Sequence, residues 1–361
     1  MPTNGSESRH RPTRGCCLSE PRYRVADFDY HLPPELIAQT PSPSRGTSRL
    51  LWLERATLAL TDRTFSAIAD LVAPGDLLVL NSTKVRHARL IGRRRSGRPA
   101  EVLLIHPAAD QCWIAMGKPG SALKPGKQIL LGGGAAIETV EVLDGPNRLV
   151  RFIGTTAEEA MARFGWLPLP PYIAREPTEA DDDRYQTVYA ERPGSVAAPT
   201  AGLHFTADLL ARLTAKGVTI GKLDLEVGPG TFRPMEGDDP SAHPMHRESF
   251  TISPELAEQV RAVKARNGAV WAVGTTVVRA LESAATGDGL TTGPQETSLL
   301  ILPGYRFQVV DRLITNFHLP KSTLLMLVSA FGGVDLVQAA YRHAVEDRYR
   351  FYSYGDAMVI R

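Results

Sequence analysis

Ser253-Pro254-Glu255 opens a helix, Lys264, Arg266 and Gly268 close it, Ala269-Val270-Trp271-Ala272-Val273 follows as an apolar run, and Gly274-Thr275-Thr276 turns the chain into residues 277–285. Serine at the cap, proline at the first helical position and an early acid are what a helix start favours; basic residues and glycine mark its end. A short, wholly apolar run after such a helix reads as a strand buried on both faces. Residues 277–285 predict the next helix, so this stretch specifies helix, strand, helix. The same texture extends outward. Thr206 is placed to cap a helix whose Leu209, Leu210 and Leu213 share a face and which ends at Gly217; residues 218–227 then alternate like a strand. Residues 335–347 read as a helix, Leu50-Leu51-Trp52-Leu53 and Leu77-Leu78-Val79-Leu80 as buried strands, and Pro33-Pro34-Glu35-Leu36-Ile37-Ala38 as a helix start.

From Lys84 to Phe152 the pattern changes. Short apolar runs are separated by Lys124-Pro125-Gly126-Lys127, Gly132-Gly133-Gly134 and Asp144-Gly145-Pro146-Asn147, with no helical period between them. Strands at regular spacing with such turns predict a small antiparallel barrel or sandwich. The expected fold is therefore mixed α/β: a large domain from residues 23–83 and 155–361, a small antiparallel β-barrel domain inserted at 84–154, and a polar tail at 1–22.

The chain has 361 residues, 43% apolar and 22% charged, enough for a sizeable core and against a disordered class. Three cysteines, two of them adjacent at Cys16 and Cys17 and the third at Cys112, provide no disulfide framework or cysteine cluster for metal. No run reaches the roughly 18 apolar residues of a membrane span, and the start lacks the apolar core of a signal peptide, so a cytoplasmic protein is expected. The net charge is only +2, but Lys84, Arg86, Arg89, Arg93, Arg94, Arg95 and Arg98 fall between Leu77 and Ala100 without one acid. That cluster suggests a nucleic-acid partner, because phosphate attraction acts over about a Debye length, roughly 8–10 Å. Glu176, Glu179, Asp181, Asp182 and Asp183 form a compensating acidic stretch.

Neither a G-x-G-x-x-G turn nor a P-loop lysine motif is present, and Gly194-Ser195-Val196 is not a nucleophile elbow. His243-Pro244-Met245-His246-Arg247-Glu248 holds two imidazoles and a carboxylate, a possible start of a zinc site, although Pro244 excludes the helix that would align them. What remains is a set of polar loops between apolar elements: 194–206, 226–232, 243–248, 274–279 and 315–320. Three of them run into helix starts at Thr206, Thr275 and Ser322/Thr323, where amides and hydroxyls can receive a carboxylate or phosphate.

These loops carry a resemblance. Phe28-Asp29-Tyr30-His31-Leu32-Pro33, Asn81-Ser82-Thr83-Lys84-Val85, Tyr185-Gln186-Thr187-Val188-Tyr189, the loop 195–206, residues 315–327 and Tyr349-Arg350-Phe351-Tyr352-Ser353-Tyr354-Gly355-Asp356 are similar to the S-adenosylmethionine:tRNA ribosyltransferase-isomerases of queuosine biosynthesis. The likeness spans about residues 23–361; the tail and the arginine-dense turn at 93–98 depart from it. It implies a large mixed α/β domain with an inserted β-barrel, and a monomer. It also implies transfer and isomerisation of the ribosyl group of S-adenosylmethionine onto the 7-aminomethyl-7-deazaguanine at a tRNA wobble position, giving epoxyqueuosine with release of adenine and methionine. S-adenosylmethionine is then a co-substrate, and no metal or other cofactor is expected.

Within that reading, His204 is the first candidate for proton transfer and His318 the second, with Asn316 as a hydrogen-bond partner for adenine or ribose. His246 and Glu248 are assigned to a ribose hydroxyl or the incoming amine. Thr275, Thr276 and Arg279 are assigned to the methionine carboxylate, and Thr200 and Thr206 to substrate. Tyr352, Tyr354 and Asp356 are assigned to the deazaguanine, and Arg45, Arg49, Lys84, Arg86 and Arg89 to tRNA phosphates. Two other readings stay open: a non-catalytic tRNA-binding relative, and a metal-dependent hydrolase centred on the segment from His243 to Glu248.

Overall fold

The computed structural model describes residues 23–228, 235 and 237–361. The expected tail at 1–22, with Cys16 and Cys17, and the part of the 226–232 loop beyond Gly228 lie outside the described residues.

The larger sheet has nine strands, in the order Gly293–Thr297, Glu248–Ile252, Thr219–Leu225, Leu77–Asn81, Val270–Val273, Arg312–Asn316, Ala357–Ile360, Arg49–Glu54 and Ala59–Thr64. The four strands from Thr219–Leu225 to Arg312–Asn316 run parallel, with Leu77 opposite both Thr219 and Val270 and with Trp271 opposite Arg312. Both faces are covered over the two central strands, Leu77–Asn81 and Val270–Val273, which is why these read as buried runs, whereas the flanking Thr219–Leu225 keeps an alternating pattern with Lys222 exposed. Leu77, Val79, Val270, Ala272 and Leu313 enter one core; Leu78, Leu80, Trp271, Val273 and Ile314 enter the other. Helices Pro254–Ala265, Thr275–Ala284, Thr323–Gly332 and Val334–Glu346 pack on the first face and Ala207–Ala215 on the second. Ser253 Oγ accepts from Leu256 N at 3.1 Å and Thr206 Oγ1 from Leu209 N at 3.0 Å, so the sequence caps are the structural ones. Among the described residues no single helix is long and apolar enough to cross a membrane.

One helix start predicted from sequence is absent. Pro34–Leu36 forms a single 3-10 turn, after which Ile37 bridges to Phe351 and Ala38 N donates to Phe351 O at 3.2 Å. Pairing with the C-terminal segment wins over the local helix signal.

The second sheet is antiparallel throughout and has seven strands, in the order Gly165–Trp166, Arg89–Arg94, Pro99–Pro107, Trp113–Lys118, Arg148–Ile153, Ala135–Val142 and Gln128–Gly132. The last strand also pairs with Arg89–Arg94, setting Arg93 opposite Leu130, so the ladder returns upon itself. It encloses Leu90, Val102, Ala115, Ile137 and Val150, and helix Ala157–Phe164 packs Ala157 and Ala160 into that core. The sheet thus starts later than Lys84 and takes in residues past 154. Cys112 is a free, buried thiol.

At the end of the parallel strands where their N-termini lie, Asp76 is buried. Its carboxylate accepts from Ala269 N at 2.9 Å, Trp271 Nε1 at 2.8 Å and Ala73 N at 3.1 Å. Asp76→Ala strips three donors of their acceptor, and each buried unsatisfied group costs roughly 1–3 kcal/mol. Denaturant unfolding should show at least about 2 kcal/mol of lost stability.

Candidate functional site

A cavity of about 70 Å³ opens at the C-terminal ends of the parallel strands, where α/β sheets place their ligands. Thr315 and Asn316 end one strand and Gly274 follows another; Pro199-Thr200-Ala201, Tyr172 and Tyr352 complete the wall. A wider groove of about 760 Å³, bounded by Tyr30, His31 and Leu32, shares Leu319 and Tyr352 with it.

Asn316 organises the floor. Its Nδ2 lies 3.1 Å from Tyr352 O, 3.4 Å from Asp356 O and 3.0 Å from His204 Nε2. Backbone carbonyls only accept, so the amide nitrogen must face them. His204 Nε2 is then an acceptor, its proton sits on Nδ1, and Nδ1–H donates to Ser48 Oγ at 2.7 Å. The Phe65 ring stacks on the imidazole at 5.0 Å. Burial lowers the His204 pKa to about 3, with the Arg45 guanidinium adding to the effect. With its lone pair occupied, His204 holds the Asn316 amide rather than presenting a free base. Asn316 Oδ1 faces the other way; it is buried and has no hydrogen-bond partner among the described residues.

His318 stands on the cavity wall. Its backbone N–H donates to Tyr341 Oη at 2.8 Å, its carbonyl accepts from Tyr30 Oη at 2.5 Å, and its Nε2 meets Thr315 Oγ1 at 2.9 Å. Nδ1 makes no hydrogen bond within the described residues, and burial lowers this pKa too, to about 3. Of the two imidazoles, His204 is buried and His318 half-buried, and His318 is the one with an uncommitted edge at the cavity.

Gly274, at φ +95°, lets the strand Val270–Val273 turn straight into helix Thr275–Ala284. No side chain caps that helix, and Thr275 and Thr276 at its start line the cavity. Helix Thr323–Gly332, by contrast, is capped by Ser322 Oγ on Leu325 N at 3.2 Å.

Several assignments read from sequence need correction. Arg279 does not line the cavity; it forms a very short buried ion pair with Glu248, and its Nε donates to Leu299 O at 2.9 Å. That pair ties helix Thr275–Ala284 to strand Glu248–Ile252 and removes both residues from substrate contact. His246 is exposed and outside the cavity, so the segment from His243 to Glu248 does not converge on a metal site. Thr206 is a helix cap. Tyr354 Oη donates to Asp181 Oδ1 at 2.6 Å, and Asp356 accepts from Arg49 N at 2.8 Å and Arg350 N at 2.9 Å, so both brace the fold. Thr200 and Tyr352 do line the cavity.

The basic residues are largely neutralised. Arg45 donates to Leu203 O and Asp183 O, Arg89 to Glu176 and Glu101, and Arg86 to Pro193 O. Arg49 lies 3.6 Å over the Tyr349 ring and 3.3 Å from Asp62. Lys84 alone of the five is fully exposed. Residues that the sequence reading passed over are Ser48, Tyr172, Thr315 and Ser353. Tyr172 Oη meets Ser353 Oγ at 2.5 Å, and its ring lies 4.6 Å from that of Tyr352. Thr315 and Ser353 sit inside quoted motif segments, which was the available signal; Tyr172 had none.

Comparison with known proteins gives one consistent result. A family model described as queuosine biosynthesis protein matches residues 25–360. A protein of Anaeromyxobacter sp. (strain Fw109-5) named S-adenosylmethionine:tRNA ribosyltransferase-isomerase is 50% identical over 343 residues, covering 93% of this chain and 99% of the relative. One of the same name from Symbiobacterium thermophilum is 51% identical over 342 residues, again with 93% and 99% covered. The crystal structure of S-adenosylmethionine tRNA ribosyltransferase from Thermotoga maritima matches with a TM-score of 0.54 at 35% identity, over 93% of this chain and 100% of that one.

Two imidazoles held neutral have a consequence for stability. Their folded pKa values, about 3, lie below the ordinary 6.5, so the unfolded chain binds more protons between those limits. Their contribution is complete above pH 6.5 and is lost as pH falls towards 3. Denaturant titrations in that window should show unfolding free energy declining with acid. The double variant H204N/H318N should decline less steeply, by up to about 1.4 kcal/mol per pH unit for each histidine removed.

Proposed function

This chain belongs to the queuosine biosynthesis protein family, and on that premise we propose how its cavity serves the reaction. It is an enzyme of queuosine synthesis that transfers and isomerises a ribosyl group. The donor is S-adenosylmethionine, and the acceptor is the 7-aminomethyl-7-deazaguanine at a tRNA wobble position. The products are epoxyqueuosine-tRNA, adenine and methionine.

The observation that carries the site assignment is the orphaned Asn316 Oδ1: a buried acceptor on a residue that lines the cavity needs a donor, because leaving it unmet costs roughly 1–3 kcal/mol. An N–H of adenine or a ribose hydroxyl of the donor meets that need. The uncapped start of helix Thr275–Ala284, with Thr275 and Thr276, receives the methionine carboxylate. Tyr352, beside Tyr172, provides the aromatic wall for the deazaguanine. The donor's sulfonium acidifies its neighbouring 5′ carbon; His318 Nδ1 takes that proton, the electron pair stays on carbon beside sulfur, and the imidazolium returns a proton to the departing adenine. His204 acts through Asn316 and is a positioning residue. Joining donor and acceptor in one site supplies part of the rate, an effect worth up to about 7–11 kcal/mol in favourable cases.

The self-returning ladder of the second sheet and its own core support treating residues 84–154 as an inserted small β-barrel domain within the division 23–83 and 155–361. We take the enzyme to act as a cytoplasmic monomer, needing no metal. A non-catalytic tRNA-binding relative has no observation in its favour, since the polar groups of the cavity are in place.

Incubation with labelled S-adenosylmethionine and tRNA carrying the aminomethyl deazaguanine should release adenine and methionine in equal amounts. H318N should lower kcat about 10²- to 10⁴-fold, the range for losing a general base. H204N should act more mildly and raise KM for the donor, because it misplaces Asn316. Full turnover in H318N would remove the base assignment, and absence of adenine with the unsubstituted enzyme would remove the reaction.

A further inference from the structure

The outer face of the seven-stranded sheet carries a stripe that the cavity does not use. In strand Arg89–Arg94, Ile91 and Arg93 point outward while Leu90 and Gly92 are buried. Trp166 stands opposite Arg89 and Leu130 opposite Arg93, so their side chains share that face. Trp166 is 49% exposed, Leu130 43% and Ile91 41%, high values for such side chains. At one end the stripe meets a groove of about 620 Å³ lined by Arg89, Arg175 and Glu176. At the other, about 17 Å along the strand, it meets the turn that follows Arg94.

That turn differs from the four arginines assigned to phosphates from sequence. Arg45, Arg49, Arg86 and Arg89 all have carboxylates within 4 Å. Arg93, Arg94, Arg95 and Arg98 have none among the described residues. Arg93 donates to Gly97 O at 3.0 Å, Arg94 to Pro99 O at 3.4 Å and Arg95 to Gln128 Oε1 at 3.0 Å, bonds that shape the turn without compensating charge. Arg98 is exposed; its carbonyl accepts from Arg94 N at 2.8 Å, while its guanidinium makes no hydrogen bond or ion pair within the described residues.

We propose that this stripe and turn are a second tRNA-binding surface, remote from the cavity: Arg93, Arg95 and Arg98 contact phosphates, and Trp166 stacks on an unpaired base or flat sugar edge. The inference rests on the tRNA reading above and adds where the RNA lies. Uncompensated guanidiniums beside an exposed indole fit a polyanion with aromatic faces; an acidic protein surface would satisfy the charge but gives no reason for the ring.

The test uses the full chain with substrate tRNA and S-adenosylmethionine. Filter binding from 50 to 200 mM salt should show that R93Q/R95Q/R98Q weakens tRNA binding about tenfold or more. Its slope of log affinity against log salt should be shallower by about two, since each lost phosphate contact removes about 0.7–0.9. W166A should weaken binding roughly fivefold or more with the slope kept. KM for S-adenosylmethionine should not move in any variant. R98Q alone removes no intramolecular partner, so it tests the surface even if the triple variant folds poorly, with a slope change of about 0.7–0.9 expected. Unchanged tRNA affinity and slope in R98Q and the triple variant, while adenine is still released, would overturn the surface. Failure of the unsubstituted enzyme to release adenine would instead overturn the functional reading.

Discussion

The side-chain amide of Asn316 sets the chemistry of the cavity. Two carbonyls, of Tyr352 and Asp356, fix which end is nitrogen, and that fixes the His204 tautomer and leaves Oδ1 as a buried acceptor without a partner among the described residues. The carbonyls are themselves held by the C-terminal segment. Tyr352 adopts φ +70°, its N–H donates to Phe317 O, and the Asp356 carboxylate accepts from Arg49 N and Arg350 N. A bulky residue in the left-handed region costs on the order of 1–3 kcal/mol, so the surrounding bonds must over-determine it. Strand Ala357–Ile360 anchors the segment between Arg312–Asn316 and Arg49–Glu54. The site is therefore built from chain positions far apart, around an amide with no rotational freedom left.

The helix–strand–helix stretch at 253–285 was legible because capping, both-face burial and the glycine turn are local signals, and the structure uses each of them. The departure at Pro34–Leu36 was illegible for the opposite reason: its partner, Phe351, is more than 300 residues away. Site residues divide along the same line. Thr275, Thr276, Asn316, His318 and Tyr352 follow strand ends or helix starts, where loop position predicts access to a cavity. Arg279, Glu248, Tyr354 and Asp356 have equally suggestive chemistry but face partners inside the protein, and a sequence does not show which way a polar group turns. Tyr172 enters the wall from a Pro-rich connection with no periodicity to read.

Charge followed the same rule. The acidic stretch from Glu176 to Asp183 looked like a separate feature, yet it wraps onto the basic residues: Glu176 on Arg89, Asp181 on Arg175, Asp182 on His87 and Asp183 on Arg45. Asp181 is held well below the usual carboxylate range by Arg175, Tyr354 and Thr178, against the opposing effect of burial. Such pairs compensate the charge of the arginines they reach. Arginines at 93–98 sit beyond the reach of that acidic stretch, so their charge projects into solvent. Counting basic residues by sequence window joined two populations that the fold separates.

Burial of His318 sets a limit on when it can act. Its imidazole is neutral and, with a pKa near 3, a weak base at neutral pH. Desolvation is the cause, so its basicity rises only if an incoming group favours the imidazolium. The donor's sulfonium opposes that, whereas its carboxylate at the start of helix Thr275–Ala284 favours it. On the proposed assignment of His318 and of the helix start, proton transfer is tied to a donor bound with its carboxylate in place, and truncation of that carboxylate should be felt in kcat as well as in binding.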